Sequence, residues 1–317
     1  MPFRPINSKS SVPQPSNTET EEKQNSPFQF TEPKYSMSDL IVSEQLADEL
    51  QTIIKAQECW KKVFEEWNLN SVMKQKKNLF VNLYGFPGTG KTMAAHAIVN
   101  ALHKKMICVN YADIESKYVG ETSKNLTSLF QFAKEQDAVI FFDEADALLS
   151  KRVTNMSSST DVSVNQTRSV LLTLLNDFDG MVIFATNFVS NYDSAFMRRI
   201  QYHVKFELPN AELRRKLWRM YIPKEMPATI DIDAVSEKYD NISGSDISTA
   251  VLKAALKTAK ENLNTVPQCY FEEAVESIQK SKQANEIGKE TTHTELVDEK
   301  DVPSDIVENA KKKADQS

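Results

Sequence analysis

Glycine is scarce in this chain. Only 7 of 317 residues are Gly, about 2% against an ordinary usage near 7%. Such a sequence is not built from tight-turned β-meanders or glycine linkers, and each glycine it keeps marks a place where a Cβ is hard to accommodate. Cysteine is scarce too. Cys59, Cys108 and Cys269 are scattered, odd in number and free of any CxxC or Cys/His metal spacing. That excludes a disulfide framework and a zinc module, and points to a reducing, cytoplasmic setting. No run approaches the roughly 18 apolar residues of a membrane span. The Pro-rich N-terminus lacks the apolar core of a signal peptide. His96, His103, His203 and His293 form no HExxH pattern, which excludes a fused zinc protease. A net charge of −6 argues against nucleic acid as the default partner.

What is present is a globular profile, 40% hydrophobic and 26% charged. Six of the 12 prolines fall within residues 1–33, so residues 1–37 are expected to be a disordered tail. Residues 281–317 carry 6 Lys and 9 Asp/Glu and read as a second tail, with one possible short helix at its end. Between them, β-rich apolar runs at 79–84, 106–110, 138–142, 181–185 and 202–208 alternate with helical patterns. In 121–135, Leu126, Leu129, Phe130 and Ala133 follow the helical i, i+3, i+4, i+7 spacing. Short apolar strands alternating with helices predict a parallel sheet covered on both faces. After Pro209 helical patterns alone continue, near 211–222, 231–238, 245–262 and 270–280. The expected architecture is α/β: a five-stranded parallel P-loop sheet flanked by helices over 38–209, then a small all-helical lid over 210–280.

Two motifs carry chemistry. The first strand runs into Gly85-Phe86-Pro87-Gly88-Thr89-Gly90-Lys91-Thr92 and then a helix, the strand–loop–helix context of GxxxxGK[ST]. Gly88 and Gly90 let backbone N–H groups turn inward around a phosphate, and the helix N-terminus adds its positive end. Lys91 reaches the β- and γ-phosphates, and the Thr92 hydroxyl ligates Mg²⁺. The second motif is the run Ala138-Val139-Ile140-Phe141-Phe142, ended by Asp143-Glu144. A buried strand that ends in two carboxylates points them into the crevice where open α/β sheets bind ligands. Asp143 suits the Mg²⁺ shell and Glu144 a general base for water. The plainer alternative is a strand terminated by acids, with Asp146 capping the next turn.

Together these motifs resemble the AAA family of ATPases, the protein-remodelling branch of the AAA+ superfamily. GFPGTGKT resembles its Walker A and VIFFDEAD its Walker B. Phe184-Ala185-Thr186-Asn187 resembles the sensor-1 strand end, which implies that Asn187 orients the lytic water. Residues 190–199 resemble the arginine-finger segment, which implies that Arg198 and Arg199 reach the nucleotide of a neighbouring subunit. Residues 241–247, with Gly244, resemble the stretch that opens the lid helix beside the nucleotide. Lys117-Tyr118-Val119-Gly120 resembles the first pore loop, with Tyr118 gripping an extended polypeptide. On the residues alone, Arg198 and Arg199 could equally pair with acids on their own subunit or cap their own helix, and Tyr118 or Val119 could staple back onto Leu126.

The sequence departs from the family pattern in three places. Arg198-Arg199 is followed by Ile200-Gln201-Tyr202 rather than by Gly and a further Arg. Ser245 stands where Ala is commoner. Gly180 leads straight into Met181, which shortens the loop before the sensor strand. The resemblance implies a ring homo-oligomer, commonly a hexamer, with ATP and Mg²⁺ as cofactors and a protein substrate or adaptor as partner. Two other classes stay open, a nucleotide-gated scaffold without threading and a nucleic-acid motor. Trp60 and Trp67 are expected to lie in a helix packed on the sheet or on a neighbouring subunit, and Cys108 to lie in a buried strand.

Overall fold

A computed structural model describes residues 28–72, 77–110, 121–150, 159–187 and 192–290. Strands β1 (Leu79–Gly85), β2 (Met106–Asn110), β3 (Val139–Asp143), β4 (Met181–Thr186) and β5 (Tyr202–Phe206) form one sheet, ordered β2-β3-β4-β1-β5. Every neighbouring pair is parallel. The helices of this unit are α1 (Glu44–Lys61), α2 (Lys91–Ala101), α3 (Glu121–Glu135), α4 (Asp146–Leu149), α5 (Ser159–Asp177) and α6 (Ser194–Met197).

The apolar strands bury both faces, as parallel sheets require. On one face Val81, Leu83 and Ile183 pack under Leu50 and Ile53 of α1 and Ala94 and Ile98 of α2. On the other, Phe80, Phe142 and Phe184 pack under Leu126 and Phe130 of α3 and Leu171 and Leu175 of α5. Phe142 and Phe184 are register partners on β3 and β4, and their rings stack 5.3 Å apart. The first connection after β1 therefore crosses one face, through α2, and the later ones cross the other. The crevice between β1 and β4 is the switch point where open α/β sheets bind ligands.

Residues 28–36 lie along the β2 edge. Thr31 N–H donates to the Met106 carbonyl at 2.8 Å. Phe30 stacks on Phe132 of α3 at 5.4 Å, and Lys105 Nζ sits 4.8 Å from the centre of the Phe30 ring. Asn100 Nδ2 donates to the Tyr35 carbonyl at 3.0 Å, and Lys34 N–H donates to His96 Nδ1 at 3.3 Å.

Among the described residues the second unit comprises Ile41–Ser43, Phe86–Thr89 and 207–290. Its helices are α7 (Ala211–Tyr221), α8 (Ile232–Lys238), α9 (Gly244–Lys260) and α10 (Gln268–Glu290). Asn210, Asp231 and Ser243 cap α7, α8 and α9 through their side chains, which satisfies N–H groups that a helix start leaves open. Trp218 meets Phe271 edge to face at 6.0 Å, within a core of Ile247, Ala250, Ala254 and Val275. The buried guanidinium of Arg214 donates to the Ser236 carbonyl at 3.0 and 2.9 Å and to the Pro209 carbonyl at 2.6 Å.

Five features differ from the sequence reading. Residues 28–36, expected to belong to a disordered tail, are held against β2 and α2 by the contacts just given. The helical unit also contains a minimal parallel pair, β6 (Ala228–Thr229) with β7 (Val266–Pro267), too short to leave a periodic signal. Helix α10 runs to Glu290, past the expected boundary at 280. Trp67 is 68% exposed and so does not pack on the sheet, where α1 buries Leu50, Ile53 and Ile54 instead; of the two expected packings only that on a neighbouring subunit is left. Cys108 is exposed, because β2 is an edge strand with alternating burial.

His96 is buried on α2, and burial holds its pKa below the usual 6.5, aided by the Lys34 charge and opposed by Asp143. Its Nδ1 accepts a hydrogen bond, which only the neutral ring can do. A depressed folded pKa means stability present above the unfolded value and lost as pH falls below it. The melting temperature is therefore expected to drop as pH goes from about 7 to 5. His96→Asn, which keeps an acceptor but does not titrate, should flatten part of that slope. An unchanged slope would rule out His96 as a contributor.

Candidate functional site

The loop after β1 begins at Gly85, whose φ is +136°. A Cβ added there would overlap the Phe206 carbonyl oxygen on β5 and sit 2.9 Å from its carbon. No side chain fits, so the strand can pass β5 and turn directly into the loop. Gly88, with φ +73°, faces the start of α9, and a Cβ would lie 2.6 Å from Ser243 Oγ. The Ser245 N–H donates to the Gly88 carbonyl at 3.2 Å. Thr89 Oγ1 closes the loop on the Phe86 carbonyl at 2.7 Å. Gly244 lies between the two serines, and a Cβ there would stand 3.6 Å from that same Gly88 oxygen, an ordinary contact.

Lys91, the first residue of α2, is only 7% exposed. Its ammonium donates to the Gly85 carbonyl at 3.0 Å. Desolvation pushes its pKa down to about 8, with Asp146 and Asp143 opposing. The next residue, Thr92, donates its hydroxyl to Asp143 Oδ2 at 3.1 Å. This bond joins residues 51 positions apart, the phosphate loop and the acidic end of β3. The hydroxyl and carboxylate are hard oxygen donors of the kind Mg²⁺ takes alongside phosphate oxygens and waters, so this pair fits the ion. Among the described residues no cluster of three or more His, Cys, Asp or Glu forms a separate metal cage.

Glu144 follows in the left-handed region, with φ +51°. That conformation costs a non-glycine residue about 1 kcal/mol or more and ends the strand abruptly. The Glu144 N–H donates to Asp143 Oδ1 at 3.0 Å, and its side chain is exposed. Beyond it, Asp146 Oδ1 accepts the Asn187 N–H at 2.9 Å and the Thr186 hydroxyl. Asn187 thus sits at the end of β4, tied to the turn that carries Glu144.

The arginine pair divides. Arg199 donates to Asn176 Oδ1 on α5 and to the Ala195 carbonyl on its own helix, both at 2.7 Å. Arg198 is exposed, and its guanidinium forms no hydrogen bond among the described residues. Lys117, Tyr118, Val119 and Gly120 lie outside the described residues. Two groups escaped the sequence reading. Asp146 looked like an ordinary helix-start acid, and nothing local announces its bond to a residue 41 positions away. The Ser245–Gly88 bond is main-chain, so no side-chain pattern encodes it.

A family model described as "ATPase family associated with various cellular activities (AAA)" matches residues 81–208. Over that stretch the chain is similar to the AAA family. Curated relatives are similar over a longer stretch. The 26S proteasome regulatory subunit 8 homolog of Schizosaccharomyces pombe is 35% identical over 208 residues, 62% of this chain and 51% of that protein. Proteasome-activating nucleotidase 1 of Haloferax volcanii is 35% identical over 208 residues, 63% and 51% of the two chains. The Saccharomyces cerevisiae 26S proteasome regulatory subunit 8 homolog is 34% identical over 218 residues, 65% and 53%. The chain spans about half the length of the curated relatives it matches. The stretch matched to the AAA family opens inside β1 and closes just past β5, so it contains β2 to β5, the end of β1, and Gly85, Lys91, Thr92, Asp143, Glu144, Asp146 and Asn187.

Gly85→Ala should destabilise this domain by about 2–4 kcal/mol, since the added methyl meets backbone rather than a movable side chain. Thermal melting checks it, and an unchanged midpoint would refute the close approach to Phe206.

Proposed function

We propose that the chain is a Mg·ATP-hydrolysing ring motor that remodels, unfolds or disassembles a protein partner by threading it through a central pore. The observation that carries the nucleotide part is the 3.1 Å bond between Thr92 and Asp143, which unites the phosphate loop with the acidic strand end. Gly85, Phe86, Pro87, Gly88, Thr89 and Gly90 would wrap the phosphates with backbone N–H groups. Lys91 would hold the β- and γ-phosphates. Thr92 and Asp143 would hold Mg²⁺, which when bound supplies positive charge to the phosphate oxygens. Gly244, at the start of α9, would lie near the nucleotide.

Glu144 would take the proton of the attacking water while the water oxygen bonds to the γ-phosphorus. The bond from that phosphorus to the β–γ bridging oxygen breaks, and ADP and phosphate leave. Asn187 would orient the water. The exposed guanidinium of Arg198 favours it as the group that reaches a neighbouring subunit's nucleotide, with Arg199 held in place behind it. An arginine supplied in trans is worth about 10³–10⁵ in rate, so this reading needs a ring homo-oligomer. Leu252 and Leu256, one turn apart on α9 and 59% and 61% exposed, support packing against a second copy. Relatives named for the proteasome support a protein rather than a nucleic acid as the partner. Among the described residues no helix is long and apolar enough to cross a membrane. Cys59, Cys108 and Cys269 are free thiols, which supports a reducing compartment, the cytoplasm, as the place of work.

Glu144→Gln is the decisive variant. It should bind ATP, lose hydrolysis by about two orders of magnitude or more, and capture the protein substrate in pull-downs; normal turnover would refute the role of Glu144. The threading part has its own check. Tyr118→Ala should stop the unfolding of a folded test protein carrying an unstructured tail, and undiminished unfolding would remove threading from the proposal.

A further inference from the structure

The regular ladder between β3 and β4 runs through Ile140–Val182, Phe141–Ile183 and Phe142–Phe184. Beyond it the two strand ends would be free to part. Three bonds oppose this: Ala145 N–H to the Ala185 carbonyl at 2.8 Å, and the Asn187 N–H and Thr186 hydroxyl to Asp146 Oδ1. An acid in the first turn of a helix ordinarily accepts from N–H groups of its own helix. Here the cap residue of α4 is Ala145, which makes no side-chain cap bond, and the Asp146 carboxylate is committed to the neighbouring strand. Thr186 is 1% exposed and its side chain also hydrogen-bonds Tyr192, so a bond lost to Asp146 is not replaced by bulk water.

We propose that Asp146 is a positioning residue for hydrolysis: it locks the end of β4 to the Glu144 turn and so fixes the spacing between the base and the water-orienting Asn187. This rests on the reading of Glu144 and Asn187 given above. Glu144 occupies a strained conformation on a turn of few residues, and Asn187 is the first residue past its strand. Neither lies within a strand. Asp146 bonds directly to the backbone of Asn187 and stands two residues from Glu144, so one carboxylate governs both. A misplacement of about 1 Å at such a site can cost about 100-fold in rate.

The test compares steady-state ATP hydrolysis, ATP affinity and melting temperature for the full chain with Asp146→Ala, Asp146→Asn and Glu144→Gln. Asp146→Ala should lower kcat about 30- to 100-fold with ATP affinity within about threefold. Asp146→Asn keeps an oxygen that accepts both bonds and should recover most of that loss. Parallel collapse of kcat, affinity and melting temperature in Asp146→Ala would overturn the proposal, as would full activity of that variant. Equal loss in the Asn and Ala variants would also overturn it, because charge rather than position would then be what matters. If Asp146→Ala does not fold, Thr186→Val removes one of the two anchors. It should lower kcat several-fold at unchanged affinity, and an unchanged kcat overturns the proposal. Normal turnover by Glu144→Gln would instead refute the underlying assignment of the base, a separate result.

Discussion

Parallel strands all finish on the same side of their sheet, and this single constraint assembles the site. The C-terminal ends of β1, β3 and β4 emerge at one edge, so residues far apart in sequence arrive together without long loops. Ladder hydrogen bonds hold the strands at a fixed spacing. The buried aromatic layer of Phe80, Phe142 and Phe184 keeps them from shearing. What remains at the edge is polar, short and specific. Thr92 meets Asp143 there, and Asp146 meets Asn187.

The edge is also where the local conformations are least comfortable. Gly85 and Gly88 occupy positive φ, and so does Glu144, which carries a side chain into a region that disfavours one. Such strain survives only where surrounding structure over-determines it. For Gly85 the determinant is the close passage of β5. For Glu144 it is the turn sewn to β4 by Ala145 and Asp146. Desolvated Lys91 belongs to the same pattern: its ammonium, with pKa about 8, rests on a carbonyl under the influence of two carboxylates. The site thus holds several groups away from their relaxed states, and the apolar layers beneath supply the stability that permits it.

Much of this was legible in the sequence because it is written locally. The phosphate loop needs its glycines, lysine and threonine within a single short run, and the acidic strand end needs two consecutive residues after an apolar run. Sheet, strand positions and major helices followed from periodicity. What escaped depends on distant partners. Asp146 and Asn187 are 41 residues apart, Arg199 and Asn176 are 23 apart, and no window of sequence contains either relation as a pattern. Exposure was misread at Cys108 for the same reason: hydrophobicity states what a side chain tolerates, while strand order decides what it gets. The β6–β7 pair, two residues per strand, is below the length at which alternation can be recognised.

The segment 28–36 along β2 has a consequence for the sheet as a whole. A parallel sheet of five strands has two lateral edges, and an uncovered edge offers its free N–H and C=O groups to any other extended chain. The Thr31–Met106 bond and the Phe30 ring against Phe132 and Lys105 cover part of that side. The segment touches the sheet through one antiparallel bridge, Thr31 with Met106, and so occupies edge groups that another extended chain would otherwise pair with. Its residues lie well ahead of position 81, where the match to the AAA family model begins. The packing that closes this edge of the sheet therefore reaches outside the stretch the family model describes.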